Sequence, residues 1–190
     1  MNTISLIHKI SLFILLIICT FCSTGQTKYY TKTAKINFYS QAPLENIEAV
    51  NKSAIAIVDS KTGDVQFSIL VKGFEFEKAL MQEHFNENYL ESSKYPKSQF
   101  SGKIQNNEVV NYSKDGAYTA SVKGTLTLHG VAKEITVPGI TTVKNGVPVM
   151  QAEFYIILSD YNISIPSLVK DKISKTVRIT IDCTLSNRIN

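Results

Sequence analysis

Alternation of apolar and polar residues with a period of two is the feature of this sequence that most constrains its fold. The clearest example is residues 177–185, where every second residue is apolar and the residues between them are polar. Residues 118–129 show a similar pattern. Because successive side chains of a β-strand point to opposite faces, each run predicts a strand with one apolar and one solvated face. Such strands are typical of antiparallel sheets.

Eight strands of this kind are predicted, and turn signals such as Asp115 with Gly116 and Asn145 with Gly146 separate some of them. Several are longer than the usual strand of about five or six residues. Long antiparallel strands with few interruptions favour a closed barrel, because closure removes the exposed strand edges. The predicted strands cover residues 28–40, 50–60, 64–73, 97–107, 117–129, 132–143, 147–160 and 173–187.

One segment departs from the period of two and predicts a helix. Residues 77–90 place Met81, Phe85 and Tyr89 on one stripe, with charged and amide side chains on the other faces. This spacing is typical of an amphipathic helix that packs one face against a core. Residues 164–172, where a proline interrupts the strand pattern, are expected to form a second short helix or an ordered loop.

The first 25 residues predict a secretory signal peptide. A basic start precedes an apolar run at residues 10–21, and small residues follow at 23–25. The run is shorter than the roughly 20 residues that span a membrane. Lipid attachment at Cys19 or Cys22 is disfavoured, because each cysteine follows a large apolar residue where a lipoprotein signal has a small one.

Cleavage near residue 25 would leave one domain, residues 26–190, in the periplasm or outside the cell. That domain has 190 − 25 = 165 residues, enough for a sizeable core. The chain has 20 lysines and arginines against 16 acidic residues, and only two of the basic residues are arginines. The lysines are scattered along the chain, which argues against a nucleic-acid-binding protein, because such proteins concentrate basic residues on one face.

No catalytic or metal-binding pattern stands out in residues 26–190. Their only histidines are His84 and His129, and Cys183 is their only thiol. A zinc site normally takes at least three protein ligands, and the Gly-x-Ser-x-Gly nucleophile motif is absent. We therefore expect no catalytic residue, no metal and no cofactor.

Large apolar side chains on the predicted inward faces are candidates either for an ordinary core or for ligand contact. A barrel of about eight strands can be filled by its own side chains or can hold one small ligand, and composition does not separate the two. His84 lies beside the apolar stripe of the helix, as a polar anchor or as a packing residue. The candidate ligand-binding residues are Phe67, Ile69, Phe74, Phe76, Met81, His84, Phe85, Tyr89, Phe100, Leu126, Leu128, Phe154, Ile156 and Ile179.

Three segments, FEFEKALMQEHF at residues 74–85, KYPKSQF at 94–100 and GTLTLHGVAKEI at 124–135, occur in a characteristic order and spacing. Together they resemble the YceI-like family of lipocalin-like proteins, over most of residues 29–187. The resemblance implies an eight-stranded antiparallel lipocalin-like barrel with the helix packed against it. It also implies a long apolar tunnel that binds an amphiphile without a cofactor. Residues 44–51 form a compact segment that departs from the family pattern near the expected cavity mouth.

The hypothesis that follows is a secreted or periplasmic, non-catalytic protein that holds a polyisoprenoid, fatty acid or fatty amide for transport, storage or sequestration. It is compatible with transient contact with a membrane or a membrane protein, and with a homodimer. Two alternatives stay open. One is a filled barrel that acts through its surface as an interaction or envelope-stress protein. The other is an enzyme acting on a lipid, with His84 or His129 beside Glu83, Asp160 or Tyr161.

Overall fold

Ten strands pair into one sheet in the computed structural model, which describes residues 28–189. The signal peptide predicted at residues 1–25 lies outside the described residues. The strands are β1 (Lys28–Gln41), β2 (Asn46–Asp59), β3 (Asp64–Leu70), β4 (Glu75–Phe76), β5 (Lys97–Ile104), β6 (Gly116–Leu128), β7 (Val131–Lys144), β8 (Val147–Ile157), β9 (Thr176–Thr184) and β10 (Asn187–Ile189).

Eight of these strands close into a barrel. The order around the barrel is β1, β2, β3, β5, β6, β7, β8 and β9, and β9 pairs again with β1. Every pairing is antiparallel, and Phe38 of β1 lies opposite Ala49 of β2 on one side and Ile179 of β9 on the other. The short β4 and β10 pair only with β2 and β1. The predicted all-β, eight-stranded antiparallel barrel is confirmed.

The predicted strands differ from the observed ones at their ends. The strand predicted to begin at residue 50 begins at Asn46, where it pairs with Gln41, so most of residues 44–51 is strand and not a compact segment. The strands predicted to end at residues 73, 107, 160 and 187 end three residues earlier, in each case before an irregular or 3₁₀ segment. β4 and β10 were not predicted, because two or three residues carry no readable period.

Two tight hairpins connect β6, β7 and β8 in succession. His129 and Gly130 connect β6 to β7, and Asn145 and Gly146 connect β7 to β8. All four residues have positive φ angles, between 51° and 75°. Two consecutive left-handed residues match the twist of the flanking strands, and asparagine and glycine adopt that conformation at low cost. The hairpin turn predicted at Asn145 and Gly146 is therefore present.

The helical segment is interrupted by a change of helix type. Helix α1 (Ala79–His84) continues into one π-helical turn (Phe85–Tyr89), where the Leu90 N–H donates to the Phe85 carbonyl at 2.9 Å. The amphipathic helix predicted at residues 77–90 is present but one or two residues shorter at each end, and the π turn was not predicted. Residues 164–172 are an ordered loop with a single 3₁₀ turn at Ser167–Val169.

One end of the barrel is closed by the segment that connects β5 to β6. Tyr112 of this segment stacks on Tyr29 of β1, with ring centroids 5.7 Å apart, and both side chains are buried. The Tyr112 hydroxyl donates to Asn107 Oδ1 at 3.3 Å, and Asn107 Nδ2 donates to the Ser60 carbonyl at 2.8 Å. Val110 is buried in the same cluster. Apolar side chains therefore exclude solvent from this end.

The opposite end carries α1, the β6–β7 hairpin and the loop between β8 and β9. His129 joins these parts, because its Nδ1 donates to the Tyr161 carbonyl at 3.0 Å while its Nε2 lies 2.7 Å from Glu91 Oε2. Tyr95 packs edge-on against the His129 ring, with centroids 4.6 Å apart. His129 is therefore a structural residue. It holds Glu91, which follows the π turn, against the β6–β7 hairpin.

Replacing Tyr112 with Phe should weaken the fall in stability at alkaline pH. Burial raises the pKa of Tyr112 from 10.0 to about 12, and nearby Tyr29 and Asp59 add to the shift. Between pH 10 and about 12 the unfolded chain loses the phenolic proton while the folded chain keeps it, so the free energy of unfolding falls as pH rises through that window. The ring, and hence the stacking on Tyr29, is retained in the variant.

Urea unfolding of both proteins below pH 10 and between pH 10 and 12 measures this difference. All other ionisable groups are the same in both proteins, so the comparison isolates Tyr112. Equal losses of stability in the wild type and in Tyr112→Phe would contradict the buried, protonated phenol.

Candidate ligand-binding cavity

An apolar cavity of about 570 Å³ occupies the interior of the barrel. All eight barrel strands and α1 contribute side chains to its lining. The volume falls within the range of roughly 300–1,000 Å³ found for small-molecule sites. The interior is hollow, so the alternative of a barrel filled by its own side chains does not describe this structure.

All fourteen residues predicted to bind ligand lie along this cavity. On the strands they occupy alternate positions, as expected for one face of a pleated sheet. That they contact a ligand stays a prediction. The lining residues from this set are Phe67, Ile69, Phe74, Phe76, Met81, His84, Phe85, Tyr89, Phe100, Leu126, Leu128, Phe154, Ile156 and Ile179.

Four phenylalanines form an aromatic cluster where α1 meets the barrel. Phe85 lies 5.4 Å from Phe38, 5.6 Å from Phe74 and 5.0 Å from Phe76, measured between ring centroids. Phe38 in turn lies 5.5 Å from both Phe74 and Phe76. Aromatic pairs at these separations contribute about 0.5–1.5 kcal/mol each beyond the area they bury. The cluster therefore anchors the helix over one wall of the cavity.

Phe38 lines the cavity and contacts three rings of the aromatic cluster, although it is not among the fourteen predicted residues. The inward position of Phe38 could have been predicted from the sequence, because inward residues alternate along β1. These inward residues are Ala34, Ile36, Phe38 and Ser40. What the sequence did not reveal is that Phe38 stacks on Phe85, because the two residues are 47 positions apart and meet only when the barrel closes.

Phe100 is positioned by two glycines on neighbouring strands. Gly102 of β5 and Gly124 of β6 lie directly opposite each other. A Cβ atom on Gly124 would overlap the Cα of Gly102 and come within 2.8 Å of the Phe100 ring. The absence of side chains at both glycines leaves room for the tip of the Phe100 ring, which lines the cavity.

Most buried hydroxyls beside the cavity are already satisfied by the protein. Ser98 Oγ donates to the Thr127 carbonyl at 2.9 Å, and Ser40 Oγ accepts from the Ser174 N–H at 2.9 Å. Burial raises the pKa of Tyr89, which lines the cavity near the helix end, and so favours the neutral phenol further. The inner cavity thus offers a ligand mainly apolar contacts.

Charged groups line the cavity only where it reaches the surface. We call this opening the mouth, and three segments border it: residues 42–47, residues 77–81 and residues 166–173. Glu45 Oε1 pairs with Lys78 Nζ at 3.0 Å across the first two segments. Lys172 of the third segment has no ion-pair partner within residues 28–189. His84 also lines the cavity, with its side chain exposed.

The polar residues proposed as an enzyme's cluster do not converge on the cavity. His129 is held by Glu91 and by the backbone of Tyr161, and it is not part of the lining. Within the described part of the chain, no group of three or more His, Cys, Asp or Glu side chains is arranged to hold a metal ion.

No helix among residues 28–189 has the length and apolar character needed to cross a bilayer.

Burial raises the pKa of the Cys183 thiol to about 12, with a smaller effect from Asp182. The side chain is fully buried in the core cluster. The thiolate is the reactive form of cysteine. Cys183 therefore acts as a small apolar core residue.

A closed antiparallel barrel around a mainly apolar cavity with a polar mouth defines a β-barrel small-molecule-binding protein. The YceI-like domain family matches residues 27–185, which is most of the chain, so the chain belongs to this family. The family resemblance in the sequence is thereby confirmed. No curated protein matches the chain.

Solved structures show the same fold at low sequence identity. A polyisoprenoid binding domain from Saccharophagus degradans, implicated in plant cell wall breakdown, is 16% identical with a TM-score of 0.72, covering 83% of this chain and 97% of that one. BcnA from Burkholderia cenocepacia is 20% identical with a TM-score of 0.64, covering 78% and 94%. A YceI protein from Campylobacter jejuni is 18% identical with a TM-score of 0.54, covering 73% and 81%.

Replacing Phe85 with Ala should loosen the helix from the barrel. The variant removes the ring that contacts three other phenylalanines, and large-to-small changes of buried phenylalanine cost about 3–5 kcal/mol. Because Phe85 is only half-buried and borders a cavity, we expect a loss of about 2–3 kcal/mol in the free energy of unfolding. Urea unfolding measures it. Leu80→Ala, an exposed position on α1, is the control, and an equal loss there would contradict the anchoring role of Phe85.

Proposed function

We propose that this protein is a non-catalytic carrier that holds a long-chain amphiphile in the barrel cavity for transport, storage or sequestration. The hollow, apolar interior is the observation that carries the proposal. The ligand classes are a polyisoprenoid, a fatty acid or a fatty amide. The YceI-like family membership supports it, and a solved relative of the same fold is a polyisoprenoid binding domain.

Burial of an alkyl or prenyl chain supplies the driving force. Each methylene group moved from water to an apolar interior contributes about 0.8 kcal/mol, so ten of them contribute roughly 8 kcal/mol before the entropic cost of binding. The lining rings, including Phe38, Phe67, Phe100 and Phe154, offer such an interior. Because the cavity offers mainly apolar contacts, most of this energy comes from the tail of the ligand.

The head group of the ligand would lie at the mouth, with the tail inserted first. Lys78, His84 and Lys172 line the cavity there, against the single carboxylate of Glu45. Since Glu45 is already paired with Lys78, Lys172 is the cation left to meet a polar or acidic head group. Buried polar groups are costly unless paired, so a head group at the solvent-facing end is the favourable orientation.

The carrier would act in the periplasm or outside the cell, after removal of residues 1–25. The support is the sequence pattern of those residues: a basic start, a short apolar run and small residues at 23–25. The large apolar residues before Cys19 and Cys22 support release rather than lipid anchoring.

Expression of the full chain in a secretion-competent bacterium should yield a mature protein that begins near Gln26. The intact mass of the protein in the periplasmic or extracellular fraction measures the cleavage point. Leu15→Arg, which places a charge in the apolar run, should keep the protein in the cytoplasm with its signal peptide attached. A mass that retains residues 1–25, or one with a lipid attached to Cys19 or Cys22, would contradict the proposed processing.

Blocking the cavity should remove the ligand. Ala152 faces the cavity from β8, between Gly139 of β7 and Ile181 of β9, and Ala152→Phe would place a ring in the empty space. Native mass spectrometry and organic extraction of the purified wild type should recover an apolar ligand. Binding of a fluorescent long-chain fatty acid or prenyl probe should fall at least tenfold in Ala152→Phe.

Glu153→Phe is the matched control. It adds the same ring one residue further along β8, on the exposed outer face, and should bind the probe like the wild type. Retained probe binding in Ala152→Phe, or no ligand and no probe binding in the wild type, would contradict the carrier function.

A further inference from the structure

Three leucines at the mouth are largely exposed to solvent. The exposed fractions are 71% for Leu44, 61% for Leu80 and 93% for Leu168. A single exposed leucine is ordinary on a protein surface. These three lie on three different segments of the chain, and each segment borders the same opening. Exposed apolar side chains grouped around one opening indicate an interaction site.

Direct contacts hold the three segments together. The Leu44 N–H donates to the Asp171 carbonyl at 3.0 Å, which joins the first segment to the third. The Glu45–Lys78 ion pair joins the first segment to α1. Leu80 itself lines the cavity, as does Val169, the neighbour of Leu168. The apolar lining of the cavity therefore reaches Leu80 at the surface and ends one residue from Leu168.

The charges around the leucines balance. The three segments of the mouth contain three lysines and three acidic residues, which are Lys78, Lys170, Lys172, Glu45, Glu77 and Asp171. A balanced ring of this kind complements the zwitterionic head groups of a neutral bilayer, whereas a strongly acidic or basic partner would meet equal attraction and repulsion. Lysines beside apolar groups also suit an interface, because their stems lie on apolar surface while the ammonium groups reach water.

The described part of the chain begins at the closed end of the barrel. Lys28 pairs with Asp59 and Ile189, at the closed end of the barrel. Lys28, the first described residue, therefore lies at the end opposite the mouth, and residues 1–25 are proposed to be removed. We therefore take the occupant of the mouth to come from outside the chain.

We propose that the mouth docks on a lipid bilayer, with Leu44, Leu80 and Leu168 inserted among the head groups. The tail of the ligand then passes between the bilayer and the cavity along a continuous apolar path, without crossing water. This proposal rests on the carrier function, because the ligand is taken to reside in the bilayer. Amphipathic surfaces bind a bilayer interface in proportion to the apolar area that they bury.

Flotation with phosphatidylcholine vesicles tests the docking. The protein as secreted should float with the vesicles, and Leu44→Ser/Leu168→Ser should partition at least tenfold more weakly. Neither of these two leucines lines the cavity. Binding of a soluble fluorescent fatty-acid probe should be the same in the variant and in the wild type. Adding phosphatidylglycerol to the vesicles should change partitioning less than twofold, because the charges of the mouth balance.

The matched control is Val109→Ser/Ile189→Ser, which removes two exposed apolar side chains at the closed end. It should float like the wild type. Equal flotation of the leucine variant and the wild type, or equal losses in both variants, would overturn the proposal. So would a wild-type dimer that becomes a monomer only in the leucine variant, as measured by light scattering, because a second copy would then cover the leucines.

The two proposals fail separately. A protein that binds the probe but does not float is a carrier without a docking surface. A protein that floats through its leucines but binds neither ligand nor probe supports docking and contradicts the carrier function.

Discussion

Simultaneous pairing of β1 with β2 and with β9 is the constraint on which the rest of this structure depends. Along residues 35–39 each β1 residue faces a β9 partner, and residues 36–39 face β2 as well. This double pairing closes the sheet, so that backbone groups on both sides of β1 are bonded and no long strand edge is left open. It also turns the apolar faces of eight strands toward one axis, which creates the interior.

The closed sheet stays hollow because its two ends are built differently and its wall includes small residues. Tyr29, Tyr112 and Val110 fill the end of the barrel at which β1 begins. The other end is bordered by a short helix and by loops. Ala120, Gly139 and Ala152 face the cavity and leave space that larger residues would occupy. The result is a cavity closed at one end and lined by charged groups only at the other, and the proposed tail-first binding of an amphiphile is based on this arrangement.

The local pattern predicted much of the fold and of the cavity wall. Alternation identified the eight barrel strands, and the residues it placed inward, such as Phe67, Phe100 and Phe154, line the cavity. The errors fell where the pattern is short or irregular: the two small strands, the start of β2 and the π turn after His84. Phe38 was missed because its partner Phe85 is distant in sequence, although its own inward position on β1 follows from the same alternation.

The sequence by itself determined which residues are strand and which face of each strand is apolar, since both follow from a period of two that is local to each segment. The length of the strands favoured a closed barrel, and the family motifs added its lipocalin-like topology. Only the tertiary structure decided that the interior is empty and that Glu45 meets Lys78. It also decided that three exposed leucines border one mouth. These features join segments centred near residues 44, 80 and 168, which come together only through closure of the barrel, and no local pattern encodes that distance.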